Sequence, residues 1–355
     1  MKKVAVIGIV GVPAKYGGFE TLVENLIGTY KDSSIQYTVF CSSKNSSSHL
    51  DQYKGAKLKY INLRANGMQS VIYDIVSMIK ATKGYDTLLI LGVSGCMFLP
   101  FLSILSSSKI IVNIDGLEHK RDKWGKCAKL FLKLSELMAV KFADIVIADN
   151  QGIKDYLIKH YNKPSNLIAY GGDHVLVSRI DECEKEILHR YSLVANQYSI
   201  SVCRIEPENN CHIILDAFNR SGNRLIFIGN WDNNAYGRQL KDRYRYSQHI
   251  SIIDPVYDIE ILYALRKNAK YYIHGHSAGG TNPSLVEAMF FGRSIIAYDV
   301  VYNVETTNGQ ADYYKDVSSL IEILSNGVDN GLKMQQIAMD RYTWQTIVKK
   351  YELLY

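Results

Sequence analysis

The sequence predicts an α/β protein built from two doubly wound halves. Short apolar runs alternate with helical patterns along the chain, and this series restarts after about residue 175. The chain has 355 residues, of which 47% are hydrophobic and 21% charged, as expected for two globular domains of ordinary size. We therefore expect two Rossmann-like domains that face each other across a cleft, with ligands at the carboxyl ends of the strands.

The first half contains two segments that resemble membrane or targeting sequences. The N-terminus has two lysines and a short apolar run, but a glycine turn follows at once, which favours a buried strand. Residues 87–105 are uncharged and almost long enough to span a bilayer, but glycine and proline interrupt them, which favours a strand, a loop and a packed helix. The predicted strands are 4–10, 37–42, 58–63, 87–93, 109–115 and 144–150, and the predicted helices are 19–30 and 70–82.

The second half repeats the alternation and ends in a helical segment, 335–355, that is rich in Tyr, Trp and Leu. Its predicted strands are 198–205, 224–230, 249–254, 269–276 and 294–300, and its predicted helices are 211–219, 259–267, 283–291 and 316–325.

Cysteine usage and charge exclude several classes of protein. The six cysteines are scattered without a CxxC pair, which argues against a zinc ribbon and favours reduced thiols in a cytoplasmic protein. The net charge of +6 is too small to indicate a nucleic-acid partner.

Residues 274–305 form the most informative stretch of the sequence. A polar, glycine-containing loop leads into a helix, and a buried strand follows. A loop of this kind at a helix N-terminus suits an anion such as a diphosphate, and a carboxylate beside it suits ribose hydroxyls. The predicted substrate-binding residues here are His276, Gly279, Gly280, Thr281, Asn282, Ser284 and Glu287.

Two further positions are candidates for contact with phosphate. Gly17 and Gly18 follow the first strand and permit close approach of the backbone to a ligand, although a plain strand-to-helix turn explains them as well. Arg204 ends the first strand of the second half, where a guanidinium can make two hydrogen bonds to phosphate oxygens. The alternative for Arg204 is a surface ion pair with Glu206 or Glu208.

Two carboxylates after the strand at 109–115 are candidate catalytic residues. Asp115 and Glu118 can accept a hydrogen bond from a sugar hydroxyl or take a proton, and the alternative is a turn or helix cap. His274 and His276 lack a third ligand nearby, and the sequence has no Asp-x-Asp motif, so neither a metal nor another cofactor is expected.

Residues 119–138 form a basic amphipathic stretch. Leucines, Phe131 and Met138 favour one side, and lysines crowd the rest. Such a helix can lie on an anionic membrane surface, where each cation contributes about 1 kcal/mol. An ordinary helix with a solvated lysine face is the alternative.

Five motifs in order along the chain resemble those of the retaining GT-B glycosyltransferases. They are GVPAKYGGFET at 11–21, DGLEHKRDKW at 115–124, YGGD at 170–173, CRIEPENN at 203–210 and HGHSAGGTNPSLVEAM at 274–289. The resemblance is closest to enzymes of the capsule and O-antigen rhamnosyltransferase type. It implies an acceptor domain at 1–175, a nucleotide-sugar domain at 176–335, and a helix at 336–355 that packs back toward the first domain. It also implies that Asn303 and Glu305, which we expect at the end of the strand that follows residues 274–289, line the donor pocket.

The sequence departs from the family pattern at two positions. Asn209 stands where the relatives usually have a lysine, and Gly279 stands where they have the first of two glutamates. Lys15, Arg266 or the loop amides of Gly279 and Gly280 are candidates to replace the missing cation.

The expected function is transfer of a sugar, L-rhamnose from dTDP-L-rhamnose, to a lipid-linked glycan during O-antigen or capsule biosynthesis. The resemblance implies a metal-independent reaction that retains the anomeric configuration, in a peripheral protein at the inner face of the cytoplasmic membrane. The alternatives are a hexosyltransferase that uses a donor such as UDP-galactose, a nucleotide-sugar epimerase, and a non-catalytic sugar-nucleotide binding protein.

Overall fold

The computed structural model describes residues 1–14, 17–28, 31–46, 49–114, 116–121, 124–176 and 181–355. Within them the chain forms two compact units. The first comprises residues 1–170 together with 344–355, and the second comprises residues 171–343.

The first unit is built on a largely parallel sheet. Its strand order is β3-β4-β2-β1-β5-β6-β7-β8, and only the β3–β4 pair is antiparallel. The six strands β4-β2-β1-β5-β6-β7 follow the order 3-2-1-4-5-6 of a Rossmann fold. The strands are β1 (Lys2–Ile7), β2 (Ile35–Ser42), β3 (Gln52–Tyr53), β4 (Ala56–Ile61), β5 (Thr87–Leu91), β6 (Lys109–Ile114), β7 (Ile145–Ala148) and β8 (Asn166–Leu167).

Amphipathic helices connect these strands. The central strands are mostly apolar and buried because helices cover both faces of a parallel sheet. The described helices are α1 (Gly18–Leu26), α2 (Gln69–Lys80), α3 (Leu99–Leu105), α4 (Lys126–Phe142) and α5 (Gln151–Tyr161), with a short 3-10 turn at Glu118–Lys120. The uncharged segment 87–105 forms β5, a 3-10 turn and α3, as predicted.

The second unit repeats the same topology in a six-stranded parallel sheet. Its order is β11-β10-β9-β12-β13-β14, which is again 3-2-1-4-5-6. The strands are β9 (Ser199–Val202), β10 (Leu225–Ile228), β11 (Ile250–Ile253), β12 (Tyr271–His274), β13 (Ser294–Tyr298) and β14 (Asp312–Tyr314). The helices are α6 (Asp181–Arg190), α7 (Cys211–Ser221), α8 (Ala235–Tyr244), α9 (Ile259–Lys267), α10 (Pro283–Met289), α11 (Val301–Thr306), α12 (Val317–Asn326) and α13 (Gly331–Arg341).

The last helix, α14 (Trp344–Glu352), belongs to the first unit. Its buried residues Trp344, Ile347 and Tyr351 join the core around β1 and β2. The chain passes between the units at 170/171 and 343/344, whereas the sequence placed the boundaries at 175/176 and 335/336. The second boundary lies later because α13 packs on α10 and β13 of the second unit.

Two other expectations from the sequence can be compared with the structure. All six cysteines are unpaired thiols. In the described part of the chain, no helix combines the length and the apolar character that a membrane crossing requires.

Candidate functional site

Two loops at the carboxyl edge of the second sheet are joined by hydrogen bonds. Residues 203–210 follow β9, residues 275–282 follow β12, and these two strands are neighbours; we call the two segments the loop pair. Ser277 donates from its backbone nitrogen and its hydroxyl to the Glu208 carbonyl, at 2.9 and 2.8 Å. Asn210 Nδ2 donates to the Gly275 carbonyl at 2.9 Å. Gly275 permits this approach, since a Cβ there would lie 2.1 Å from the Asn209 carbonyl oxygen.

Asn209 and His276 form the polar centre of the loop pair. Asn209 is 3% exposed and His276 is 8% exposed. Asn209 Oδ1 lies 2.7 Å from His276 Nδ1, and Asn209 Nδ2 donates to the Arg204 carbonyl at 2.6 Å. The family's lysine position is therefore occupied here by a buried amide that connects both loops. From the sequence, we noted only that Asn209 stands where the relatives usually have a lysine, and we did not predict this contact.

His274 does not share the polar contacts of His276. It is buried at the end of β12, and burial holds its pKa well below the ordinary value, so the ring is neutral. Among the described residues, no group of three or more His, Cys, Asp or Glu side chains is placed to hold a metal ion.

Arg204 lies at the expected position after β9, and its side chain is exposed. The alternative of an ion pair with Glu206 or Glu208 is not realised, because no described carboxylate lies within salt-bridge distance of its guanidinium. Among the described residues, the loop pair therefore presents one exposed cation that no carboxylate neutralises.

The segment after His276 turns sharply into α10. Gly279 has φ +102°, a conformation that favours glycine. Asn282 caps α10 by accepting a hydrogen bond at 3.0 Å from the backbone nitrogen of Ser284. Gly280 and Thr281 are buried, whereas Gly279 is partly exposed. The helix ends at Met289, two residues before the predicted end at 291.

Glu287, the predicted ribose ligand, is held by two basic side chains. Arg266 Nη2 lies 2.7 Å from Glu287 Oε2, and His174 Nε2 lies 3.6 Å from Oε1. Arg266 is 4% exposed and Glu287 17% exposed. Arg266 was a candidate for the missing phosphate cation, and in the structure its guanidinium pairs with Glu287. The loop that carries His174 packs closely on α10, as a Cβ at Gly172 would lie 2.9 Å from Val286.

Asn303 and Glu305 do not end a strand, contrary to the prediction. Strand β13 stops at Tyr298, and both residues lie in α11. Asn303 is buried, and its Nδ2 donates to the carbonyls of His276 and Tyr298, each at 2.8 Å. Asn303 thus supports the 275–282 loop from behind, and Glu305 remains partly exposed.

The glycine turn of the first unit is tied back to α1 by two glutamates. Glu20 Oε1 accepts from the backbone nitrogen of Val10 at 2.9 Å, and Glu24 Oε2 accepts from that of Ala14 at 2.6 Å. Gly17 has φ +127°, and a Cβ there would lie 2.0 Å from Glu20 Oε2. Gly18 is the first residue of α1. Burial raises the pKa of Glu20. The sequence pattern predicted a role for the glycines. It did not identify Glu20 and Glu24, which lie about one and two helical turns after Gly17.

Only one of the two candidate catalytic carboxylates lies among the residues that the structure describes. Asp115 and Lys15 lie outside the described residues. Glu118 is described, and its carboxylate accepts from Arg121 Nη1 at 2.8 Å and from Trp124 Nε1 at 3.1 Å. Because both oxygens are engaged, Glu118 is placed to shape the DGLEHKR turn.

A buried cluster around Glu136 anchors the same turn, and sequence reasoning missed it. Glu136 Oε1 accepts from the hydroxyls of Tyr156 and Tyr161 at 2.9 and 2.6 Å. His119 Nδ1 lies 2.9 Å from its other oxygen, and Lys133 lies 3.4 Å from Oε1. Lys133 is therefore part of an internal cluster as well as of the basic stretch.

Helix α4 begins later than the predicted stretch at 119–138, because a 3-10 turn and residue Gly125 precede it. Its exposed apolar residues are Leu130, Leu134 and Leu137, which follow helical spacing; Leu130 is 62% exposed. Phe131 and Met138, predicted on the same side, are partly buried. We call Leu130, Leu134 and Leu137 the leucine stripe.

The sequence matches two described families. Residues 1–173 match the family described as a domain of unknown function (DUF1972), and residues 184–336 match glycosyl transferases group 1. Sucrose-phosphate synthase from Thermosynechococcus elongatus superposes with a TM-score of 0.82 at 14% identity, covering 100% of this chain and 98% of that one.

This is a GT-B fold.

Other GT-B structures agree with this assignment. Anabaena HepE, solved with UDP, matches with a TM-score of 0.77 at 14% identity, over 100% of this chain and 99% of that one. Starch synthase IV from Arabidopsis thaliana, solved with ADP and acarbose, matches with a TM-score of 0.72 at 13% identity, over 100% and 98%. No curated protein matches the sequence. The region that matches glycosyl transferases group 1, residues 184–336, contains the loop pair with Arg204, and Glu287.

Proposed function

We propose that this protein is a glycosyltransferase that transfers L-rhamnose from dTDP-L-rhamnose to a lipid-linked glycan in O-antigen or capsule biosynthesis. The observation that carries the proposal is the exposed Arg204 within the loop pair, at the carboxyl edge of the second sheet, where no described carboxylate pairs with it. Support for a nucleoside diphosphate comes from the HepE structures, which hold UDP or UDP-glucose. The sugar and the acceptor rest on the motif resemblance.

The proposed contacts with the nucleotide sugar come from one charged side chain and from the backbone of the 275–282 loop. Arg204 takes the diphosphate with a forked pair of hydrogen bonds, and the backbone of Gly279, Gly280 and Thr281 lines the same ligand. Glu287 accepts from the ribose hydroxyls. Because Arg266 pairs with Glu287, the carboxylate is held in one orientation before donor binds.

The proposed reaction retains configuration. The acceptor hydroxyl oxygen forms a bond to the anomeric carbon on the face that the diphosphate leaves, and the bond from that carbon to the diphosphate oxygen breaks. The departing diphosphate takes the hydroxyl proton, and Arg204 offsets the charge of the leaving group. No protein nucleophile is required, so Asp115 and Glu118 act in positioning the acceptor.

The assay that tests this proposal is a screen of nucleotide sugars with membrane lipid extract, read as labelled lipid and released nucleoside diphosphate. We expect dTDP-L-rhamnose to label the lipid. Arg204→Ala should lower turnover at least about 100-fold, on the scale of removing one charge-stabilising group. Arg220→Ala is the matched control, because Arg220 is an exposed arginine of the same unit paired with Asp216.

Each alternative gives its own result in this screen. If only UDP-galactose labels the lipid, the donor is a hexose nucleotide and not dTDP-L-rhamnose. Release of an altered nucleotide sugar without acceptor indicates an epimerase. Donor binding without turnover indicates a non-catalytic binding protein. Full activity of Arg204→Ala would contradict the phosphate assignment.

We also propose that α4 brings the protein to the inner face of the cytoplasmic membrane. The leucine stripe is exposed, and α3, which packs on α4, exposes Phe101, Ile104 and Leu105. The exposed lysines Lys126 and Lys141 lie toward the two ends of α4. Apolar residues flanked by cations suit an anionic lipid surface.

Vesicle cosedimentation tests this membrane proposal. Changing the leucine stripe to glutamine should reduce binding to anionic vesicles at least about tenfold, since each buried leucine contributes about 1.5–3 kcal/mol. Lys126→Glu with Lys141→Glu should weaken binding most at low salt. Lys133 is left unchanged because it contacts the Glu136 cluster. Equal binding by wild type and the glutamine variant would remove the proposal.

A further inference from the structure

We infer that Glu136 is a positioning residue, which fixes the 118–121 turn to α4 and thereby holds Glu118 in place for the acceptor. This inference deepens the proposed function and rests on it for the acceptor role of the turn. The anchoring itself follows from contacts within the first unit.

The first step concerns the elements that Glu136 joins. Its Oε1 accepts hydrogen bonds from the hydroxyls of Tyr156 and Tyr161, which both lie on α5. Its Oε2 lies 2.9 Å from Nδ1 of His119, in the turn. The residue is 1% exposed, so these contacts are made away from water. One buried carboxylate therefore connects α4, α5 and the turn.

The second step concerns why this position of α4 holds a carboxylate. Lys133, one helical turn earlier, lies 3.4 Å from Glu136 Oε1 and compensates its charge. Taking such a pair out of water is costly, and an apolar side chain of similar size often stabilises a buried position equally well. Hydrogen bonds, however, have preferred directions, which apolar contacts lack. The contribution that we assign to Glu136 is therefore orientation of its partners more than stability.

The third step concerns the turn. Its regular structure is a single 3-10 turn, Glu118–Lys120, and such short turns have poor hydrogen-bond geometry. The contacts of Glu118 with Arg121 and Trp124 join residues that are close in the sequence, and they shape the turn locally. The contact of His119 with Glu136 joins the turn to α4. Loss of this contact should therefore loosen the turn while α4 and α5 remain folded.

Helix α4 carries both Glu136 and the leucine stripe. Glu136 is on the buried side of the helix, and Leu134 and Leu137 beside it in the sequence are exposed. The proposed membrane contact and the proposed acceptor turn therefore depend on different faces of one helix. We expect their effects to be separable, with the stripe setting vesicle binding and Glu136 setting the KM for the lipid-linked acceptor.

Hydrogen exchange tests the anchoring without any ligand. The backbone nitrogens of Lys120 and Arg121 donate to carbonyls within the turn. In the whole protein, Glu136→Met should speed the exchange of these two amides about tenfold, the scale of one lost hydrogen bond to a charged group. Exchange in residues 52–61 is the internal reference and should not change. Equal exchange at Lys120 and Arg121 in wild type and variant overturns the inference, whatever the protein transfers.

Two variants of equal length test the effect on the acceptor. Glu136→Met fills the position without an acceptor, and Glu136→Gln keeps one oxygen. We expect the KM for the lipid-linked acceptor to rise about tenfold in Glu136→Met and less in Glu136→Gln. The KM for the nucleotide sugar and the binding to anionic vesicles should remain those of wild type. A rise in both KM values, or equal effects of the two variants, overturns the inference.

A double-mutant cycle tests whether His119 transmits the effect. His119→Phe keeps a ring but removes the nitrogen that faces Glu136, and it serves as the test if Glu136→Met does not fold. If both residues act through one contact, the double variant should have the acceptor KM of the single variants. Additive increases overturn the inference. Tyr161→Phe is the control, because it removes a donor on the α5 side and leaves the His119 contact. An acceptor KM raised as much by Tyr161→Phe also overturns it.

The outcomes separate this inference from the proposed function. If no nucleotide sugar is turned over but Glu136→Met loosens the turn, the function is wrong and the anchoring stands. If turnover occurs and Glu136→Met has the acceptor KM of wild type, the positioning role of Glu136 is wrong and the function stands.

Discussion

Arg266 shows how a residue that resembles a ligand from its charge can instead serve another side chain. It is nearly buried at the end of α9, and its guanidinium faces Glu287. Burial of an unpaired guanidinium is costly, so the pair forms even though Glu287 keeps some exposure. Arg204 has the opposite environment, exposed and without a carboxylate, which suits an incoming anion. The sequence shows only that both arginines are positively charged. It could not predict which of them is paired and which is exposed.

The Arg266–Glu287 pair leads to a prediction about stability. Arg266→Leu leaves the Glu287 carboxylate without its cation, and we expect a loss of about 3 kcal/mol in the free energy of unfolding. The double variant Arg266→Leu with Glu287→Leu should recover most of this loss, because no charge remains unpaired. Urea unfolding followed by fluorescence measures both. Equal stability of the single and the double variant would show that the pair contributes little.

At the scale of elements, most of the chain follows one rule, in which an apolar strand is covered by an amphipathic helix. The exceptions occur where polar side chains hold segments together. Glu20 and Glu24 tie the first turn to α1, Glu136 ties the 118–121 turn to α4, and Asn209 ties the loop after β9 to the loop after β12. In each case a buried polar group satisfies backbone or side-chain donors that the strand ends leave open.

Asp74, on α2, gives a prediction about pH. Burial raises its pKa from the ordinary 3.8 to about 8, and a hydrogen bond from the Gly95 backbone opposes this shift only in part. The folded state therefore holds the proton more tightly than the unfolded state. The stability from this group is complete below about pH 3.8 and is lost as the pH rises to about 8.

Asp74→Asn should remove this pH dependence. Asparagine keeps an oxygen for the Gly95 nitrogen and carries no charge. The free energy of unfolding of the variant, relative to that of wild type, should therefore increase between pH 4 and 8, by at most about 1.4 kcal/mol per pH unit. Urea unfolding at several pH values measures the difference. Asp51→Asn, at an exposed position of the same unit, is the control. A difference between Asp74→Asn and wild type that does not change with pH would contradict the assignment.

At the scale of the whole molecule, two units of the same topology carry different chemistry. The first unit, residues 1–170 with 344–355, contains the leucine stripe and the Glu136 cluster. The second, residues 171–343, contains Arg204, the loop pair and Glu287. A donor that binds as proposed should therefore stabilise segments of the second unit and leave those of the first unit unchanged.

Hydrogen exchange of the whole protein tests this division. A nucleoside diphosphate at 100 times its dissociation constant adds about 2.7 kcal/mol to the folded state. We expect slower amide exchange in residues 203–210 and 275–282, and no change in residues 52–61 of the first unit. The nucleoside monophosphate, which lacks the second phosphate, should protect less. Protection confined to residues 52–61 would place the donor in the wrong unit for our proposal.

Much of the fold could be predicted from the sequence because apolar runs of strand length are local signals. The central strands of both sheets and the restart of the pattern near residue 175 were readable for this reason. Short or polar elements such as β14, α8 and α11 were not, because few apolar residues mark them. The second boundary was also misplaced, since 335–341 and 344–352 are both helical and only packing distinguishes them.

The sequence by itself determined the α/β class, the two doubly wound halves and the segments that meet at strand ends. Strand ends of parallel sheets converge at one edge, so Arg204 and the 275–282 loop could be expected together. Only the tertiary structure decided what each polar side chain contacts. Arg266 pairs with Glu287, Asn303 supports a backbone loop, and Asn209 contacts His276. These contacts join residues 21 to 67 positions apart, and hydrogen-bond geometry at that range is set by packing and leaves no periodic signal in the chain.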